Sequence, residues 1–423
     1  MTGLGSRLPL VSAKHARDVL RSTFWLVPAL CVVASIGLGI GLIALDQRLP
    51  AAHGVFLYPG PPGGARSFLS SIVTAMISFT GLVFSITIVV LQLTSGQFSP
   101  RVLRMFLRDR TIQVTLGVFV ATFVYALVVQ RAVLGTSGQG GFVPRIAVTV
   151  AFAFVLASVG LFIRYIDHVA NIIRAATIVT YIGTQSRRVL EQRYPSDLVA
   201  GVVRTPVSTA VLTVPAPHPG VVVSVNERVL VELAAGAGAV LVLIPRLGDF
   251  VPAGAPLLTI HPEPDRPAMD AGELETLGKR VIGAVALDTE RTMEQDLAFG
   301  FRQLVDIAER ALSPGINDPT TAVQALDVLH DLLRRLATRH LPDGRSVGAD
   351  GRLRLVVPQY GFGDFLDVAV GEIWRYGSDA AQVPVRIHVL LADLASAALP
   401  EHRGAVDRWT ALVGLCPVVA RRE

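Results

Sequence analysis

From Phe68 to Leu93 the chain carries no charged residue, and small polar side chains recur along this stretch. Ser71, Thr74, Ser78, Gly81, Ser85 and Gln92 advance by threes and fours, with one step skipped at Ile88. At about 100° per residue they fall in one narrow sector of a helix, and Phe79, Val83, Phe84, Val90 and Leu91 lie largely outside it. A helix of this length rises about 39 Å, more than the roughly 30 Å hydrocarbon core of a bilayer. The spacing therefore predicts a membrane helix with a greasy side for lipid and a small, hydroxylated side for protein or water.

The composition agrees. The chain has 423 residues, 51% hydrophobic and 17% charged, too apolar for an ordinary soluble protein of this length. A net charge of +5 could suggest nucleic acid. Against that, Lys14 and Lys279 are the only lysines, and the arginines flank apolar runs without forming one basic face. No nucleic-acid partner is expected; the lipid bilayer is. Cys31 lies in an apolar segment and Cys416 near the C-terminus, which implies neither a disulfide framework nor a metal cluster.

Four segments meet the length criterion for a span: Trp25–Leu45, Phe68–Leu93, Thr111–Val129 and Ile146–Ile163. Lys14, Arg17 and Arg21 precede the first. Arg101, Arg104, Arg108 and Arg110 lie between the second and third, and Arg164, Arg174, Arg187, Arg188 and Arg193 follow the fourth. The opposite side holds Arg48, Arg66, Arg131 and Arg145. The positive-inside rule then puts both termini on the cytoplasmic side of the membrane. Ser99-Pro100 reads as a helix start, after which Arg101, Arg104 and Arg108 share one face and Leu103, Phe106 and Leu107 the other. This is the pattern of a helix lying at the headgroups, with guanidinium groups among phosphates. The fourth span is expected to continue as a helix towards Pro195, with Asp167 and His168 at the interface.

Beyond Pro195 the pattern changes. Residues 204–262 are rich in Val, Pro and Gly and read as short strands at Ala210–Val214, Gly220–Val225, Ala239–Ile244 and Pro256–Ile260, with Asn226 capping a short helix. The run from Gly248 to Leu258 resembles the turn of biotinyl- and lipoyl-type barrel-sandwich domains, but no lysine stands where a carrier would be modified. A helix is expected from Asp288 to about Leu312. The Ser313–Thr320 break follows, with Asp318 as N-cap and Pro319 in the first turn of the next helix, to about His340. A strand at Leu353–Val357 and helices near 364–376 and 384–399 complete the chain. The fold expected is an α+β membrane protein. It comprises a transmembrane domain over 1–194, a small β barrel-sandwich-like module over 195–265 and a mainly helical cytoplasmic module over 266–423.

Motifs for chemistry are sparse. The sequence holds no P-loop, H-E-x-x-H, G-x-S-x-G or paired C-x-x-C, and its nine histidines are dispersed, so neither an enzyme nor a cofactor is expected. The densest polar cluster, Glu290, Arg291, Glu294, Gln295 and Asp296 with Asn317 and Asp318, reads as caps, turn and ion pairs.

The runs Ile77–Thr87, Leu91–Arg101, Arg108–Arg110, Pro245–Val251, Glu294–Asp296 with Phe299-Gly300, and Ala311–Ala322 resemble the bacterial membrane family catalogued as domain of unknown function 2254. The resemblance covers about residues 15 to 400. It implies a multi-pass inner-membrane protein and brings no reaction, ligand or catalytic residue with it. Two functions remain open. A homo-oligomeric channel- or pore-like protein would line its path with Ser71, Thr74, Ser78, Gly81, Ser85 and Gln92 under a cytoplasmic vestibule. Alternatively the stripe packs helices, and the chain is a membrane-anchored scaffold or sensor. Its cytoplasmic half would then meet a protein partner through the barrel-like β module and the Asn317-Asp318-Pro319 turn.

Overall fold

The structure is a computed structural model and describes residues 25–48, 57–97, 109–134, 142–172, 174–196, 209–263 and 269–414. The fold divides into two compact bodies, one within Ser12–Arg174 and one in the chain from Ala175 onward. Arg101, Arg104 and Arg108, the expected headgroup helix, lie outside the described residues.

The first body holds α1 (Leu26–Arg48), α2 (Pro62–Gln97), α3 (Arg110–Ala132) and α4 (Arg145–Ile172), each long and apolar enough to cross a membrane. The most buried is α3, which packs against the other three. Asp109 starts it: the carboxylate accepts the N–H groups of Thr111 and Ile112 at 2.8 and 3.1 Å, satisfying donors that a helix leaves free at its N-terminus. On α2, Leu69, Ile72, Met76, Val83 and Val90 form a buried seam of heptad type. Phe79 sets its ring edge-on to Phe119 of α3 and Phe162 of α4. Val83 and Val90, expected on the lipid side, are therefore interior. The bundle needs an aliphatic ridge to interdigitate, and these two continue it.

Several polar groups within this body are paired across helices. Thr87 and Tyr165 share a hydrogen bond of 2.7 Å, and the Tyr125 hydroxyl donates to the Ala147 carbonyl at 2.9 Å. Asp46, buried in the last turn of α1, accepts the N–H groups of Ile146 and Ala147 at 3.1 and 3.0 Å and so caps α4 from another helix. Away from water an unpaired backbone donor is expensive, so these bonds specify which helix ends meet.

The second body begins with α5 (Ala175–Arg193). The continuous rod expected from the fourth span to Pro195 is thus two helices: α4 ends at Ile172 and α5 starts three residues on. Next come β1 (Leu212–Pro215), β2 (Gly220–Val225), α6 (Glu227–Ala237), β3 (Ala239–Leu243), β4 (Phe250–Val251), β5 (Pro256–Pro262), α7 (Ala271–Ile282) and β6 (Val285–Asp288). The chain continues through α8 (Leu297–Ala311), α9 (Pro319–Ala337), β7 (Arg345–Val347), β8 (Leu353–Val356), α10 (Phe362–Gly377), α11 (Gln382–Ala397) and α12 (Pro400–Gly414). Asn226 caps α6 as its sequence position predicts, its side chain accepting from Val229 N–H.

The strands form two open sheets, of order β1-β5-β3-β8-β7 and β4-β2-β6. All described pairings are antiparallel except β3 with β8, where Leu241 faces Leu355. The expected self-contained barrel over 195–265 is not closed. Its apolar strand β3 takes β8, from a hundred residues later, as a neighbour, and β2 takes β6. Leu241, Leu243, Leu258, Ile260 and Leu355 then share one core with Leu230 of α6 and Val281 of α7. The same pairing corrects the helix expected from Asp288. Val285–Asp288 joins β2 as a strand, with Leu287 opposite Val222, and the helix starts only at Leu297.

One glycine carries the β7–β8 hairpin. Gly344 sits at φ +76, and a Cβ there would overlap the carbonyl oxygen of Val357, whose own N–H bonds Gly344 O at 2.8 Å. Both the left-handed backbone and the contact exclude a side chain. Gly344→Ala is expected to lower stability by about 2–4 kcal/mol, read as a fall in the thermal unfolding midpoint of the detergent-solubilised chain. An unchanged midpoint would refute this role.

Candidate functional site

All six stripe residues of α2, Ser71, Thr74, Ser78, Gly81, Ser85 and Gln92, are exposed on the outside of the first body. None faces α3. A Cβ at Gly81 would have nothing within 4 Å. Two of the hydroxyls are satisfied locally: Ser71 donates to the Ser67 carbonyl at 2.9 Å and Ser78 to the Thr74 carbonyl at 3.1 Å. Hydroxyls folded back on their own helix in this way lose little by facing a nonpolar neighbour, yet they can turn outward to water. Ile77, Leu82, Phe84, Ile88 and Val89 are exposed beside them. Thus α2 has three faces: a buried aliphatic seam, an outward greasy face and an outward small polar face.

His168 is paired differently from its sequence neighbour Asp167. Its Nε2 lies 2.9 Å from Asp109 Oδ2, tying the end of α4 to the start of α3, and Asp167 accepts from Asn171.

In the second body the densest polar site gathers residues from distant segments. Arg291 donates from Nε to Asp296 Oδ2 at 2.8 Å, and its guanidinium lies over the Phe299 ring. Asp296 is 3% exposed and also caps α8, its other oxygen accepting the Phe299 N–H at 3.0 Å. Gly248, at φ +88, presents a bare backbone to Arg291, where any Cβ would overlap the guanidinium. Asp249 accepts the Arg246 N–H at 2.9 Å and closes the Pro245–Val251 turn. Arg246 lies over the Tyr360 ring at 4.9 Å and reaches Asp364 at 3.4 Å. Gln295 accepts the N–H of Val225 at 3.0 Å, binding the same segment to β2. The runs Pro245–Val251, Glu294–Asp296 and Phe299-Gly300, far apart in the sequence, therefore meet in one place. The sequence singles out Arg291 and Asp296 as a polar cluster and Arg246 as part of a family run; Tyr360 and Asp364 go unannounced, since only the fold places them there. Burial pushes the Tyr360 hydroxyl up from its ordinary value, which keeps it neutral beside the two arginines. Most of the strong polar groups here pair within the protein, although Arg291 Nη2, 2.8 Å from Asp296, makes no hydrogen bond, and the cluster reads as a clasp between turn, sheet and helix.

The Asn317-Asp318-Pro319 turn stands at the other end of α8, about 22 Å along the helix from Asp296. Ile316 and Asn317 donate their N–H groups to Ser313 O at 3.0 and 2.9 Å, and Asp318 donates its N–H to Ala311 O at 2.7 Å. Asn317 takes φ 49, and Asp318 caps α9 with Pro319 in its first turn, as expected. The Thr321 hydroxyl holds the Asp318 carboxyl below its usual range. Pro314, Gly315, Ile316 and Asn317 are exposed, so the tip is a small apolar knuckle. Among the described residues no three His, Cys, Asp or Glu side chains are grouped to hold a metal ion.

The sequence profile of the family described as "Predicted membrane protein (DUF2254)" matches residues 21–393. Among curated proteins, the uncharacterized protein Rv1290c of Mycobacterium tuberculosis is 34% identical over 404 residues, covering 95% of this chain and 77% of the relative. The uncharacterized protein Mb1321c of Mycobacterium bovis matches to the same extent. No solved structure matches the chain. With four membrane-length helices, three of them packed on α3, an outward polar stripe and a profile match over most of its length, the chain belongs to the DUF2254 family of predicted membrane proteins.

Proposed function

We propose that this chain is one subunit of an oligomeric, channel-like protein of the bacterial inner membrane. Both termini and the C-terminal body lie in the cytoplasm, and the two-sheet body forms a vestibule. The observation that carries this reading is the outward face of α2: six small or polar positions with no covering helix among the described residues of the same chain. Lipid rewards large apolar side chains at such positions, so a run of Ser, Thr, Gly and Gln is better matched to another copy or to water. Several copies arranged about an axis would bring their stripes together as a wet wall. The exposed aliphatic residues beside the stripe would then meet lipid or neighbouring subunits.

Single-channel recording of the purified protein in planar bilayers tests this. Wild type is expected to conduct, and Ser78→Leu, which puts a large apolar side chain mid-stripe, is expected to cut conductance several-fold. Silence of the wild type under both voltage and membrane tension would end the channel reading.

A second reading has its own observation, the exposed Pro314–Asn317 knuckle with Ile316 at its tip. In that case the protein is a membrane-anchored scaffold or sensor that docks a partner protein there. Purification of the intact chain from membranes distinguishes the two: a stoichiometric partner lost on Ile316→Asp supports the scaffold, and a homo-oligomer alone supports the channel.

A further inference from the structure

Arg302 on α8 is shared by three carboxylates. Its Nε lies 2.6 Å from Asp306, its Nη2 3.0 Å from Glu309 on the same helix, and its Nη1 2.6 Å from Glu372 on α10. One guanidinium offsets one negative charge, so three ionised acids around it would leave two in excess at a part-buried helix contact. Glu309 and Glu372 thus meet on the two Nη atoms of one guanidinium, close enough that each carboxyl acts on the other. A carboxylate has no donor, so a direct bond between the two needs a proton.

We propose that Glu309 and Glu372 form a proton-gated latch between α8 and α10, closed when they share a proton and loosened when both are ionised. Glu309 holds the proton because it is the more buried of the two, while Glu372 receives the shorter of the two Arg302 bonds and faces Arg375 as well. Burial first, and the neighbouring Glu372 second, push the Glu309 carboxyl up to about 7; Arg302 holds Glu372 far below the ordinary glutamate value. The charged side chains of other elements are engaged elsewhere. Arg187 of α5 pairs with Asp331 of α9, and Glu191 of α5 pairs with Arg335 and Arg339. Arg386 of α11 pairs with Asp327, and Arg408 of α12 with Asp367. Asp306, on Arg302, is the remaining acid acting on Glu309, and it raises the cost of a second ionisation.

The sign follows from linkage. A carboxyl whose folded value is raised contributes stability that is complete below its unfolded value of 4.5 and is lost as pH rises through about 7. Glu372 behaves oppositely, and its contribution disappears only in strong acid. The latch is therefore closed in mildly acidic solution and open in mildly alkaline solution.

Hydrogen–deuterium exchange of the full chain in detergent, corrected for intrinsic exchange rates, tests this at about pH 6 and about pH 8. Protection of Phe362–Gly377 is expected to fall about tenfold at the higher pH in wild type, the change that roughly one pH unit of linked titration produces. Glu309→Gln, which keeps a donor to Glu372 without the titration, is expected to stay protected at both. Equal protection in wild type at the two pH values, or an undiminished pH response in Glu309→Gln, overturns the proposal. Should Glu309→Gln fail to fold, infrared spectra of wild type decide: a protonated-carboxyl carbonyl band present at about pH 6 and lost by about pH 8 supports the latch. No such loss refutes it.

Discussion

Asp296→Ala is expected to destabilise the C-terminal body by about 3–5 kcal/mol, the cost of breaking a buried ion pair by removing one partner. Asp296 is 3% exposed, and Arg291, its partner, is 22% exposed. Truncation leaves that guanidinium facing Gly248 and Phe299 with no anion, in a place that water reaches poorly. It also strips α8 of its N-cap, since the Phe299 N–H loses its acceptor. The loss spreads because the clasp is shared: Arg291 lies against the Pro245–Val251 turn, and Gln295, next to Asp296, holds β2. Asp296→Asn separates the contributions. An amide oxygen still caps α8, and Arg291 keeps some hydration, so a loss of only about 1–2 kcal/mol is expected. Thermal unfolding of the full chain in detergent checks both. At roughly 2–4 °C per kcal/mol for a body of this size, alanine should lower the midpoint by about 6–20 °C and asparagine by less than half of that. If the two variants unfold together, the cap contributes nothing beyond the ion pair.

What the sequence makes legible here is set by interaction range. The four long helices are written into local hydropathy, because each must meet lipid along its own length. Caps are equally local: Asn226 and Asp318 are readable because the donor each satisfies lies three residues on. The capping box of α7, Asp270 with Glu273, carries the same signal. Pairing over long separations is not readable in this way. Val285–Asp288 looks helix-compatible and becomes a strand only because β2 offers it a ladder. The barrel expected over 195–265 fails to close for the same reason, since β8 supplies a neighbour that no local pattern announces. On α2 the small polar stripe is legible as a stripe. Its outward direction is not, because periodicity gives the angle between faces and cannot say which face meets α3. The clasp is half legible: Arg291 and Asp296 stand close in sequence, whereas Arg246 and Tyr360 reach it only through the fold.

Asp46→Ala should show the same logic in the membrane body, and more sharply than a local cap does. The residues before α4, Phe142, Val143 and Pro144, offer no side chain able to accept a hydrogen bond, so the helix relies on a carboxylate delivered by α1. The four free donors at a helix start carry partial positive charge, and Asp46 meets two of them at once, both as acceptor and as counter-charge. Removing it leaves the Ile146 and Ala147 N–H groups unpaired in a buried setting and releases the end of α1 from α4. The expected cost is about 2–4 kcal/mol. Asp109→Ala provides the comparison. It too deletes a two-donor cap, together with the His168 contact, but Asp109 adjoins the helix it caps and is 18% exposed, so water can replace it, and about 1–2 kcal/mol is expected. Asp46→Asn keeps an acceptor oxygen and should recover about half of the alanine loss. Thermal unfolding in detergent, paired with cysteine crosslinking between the end of α1 and the start of α4, gives both the energy and the geometry. A larger effect at Asp109 than at Asp46 would mean that α4 does not rely on α1 for its cap, and that the helix order around α3 is held by apolar packing alone.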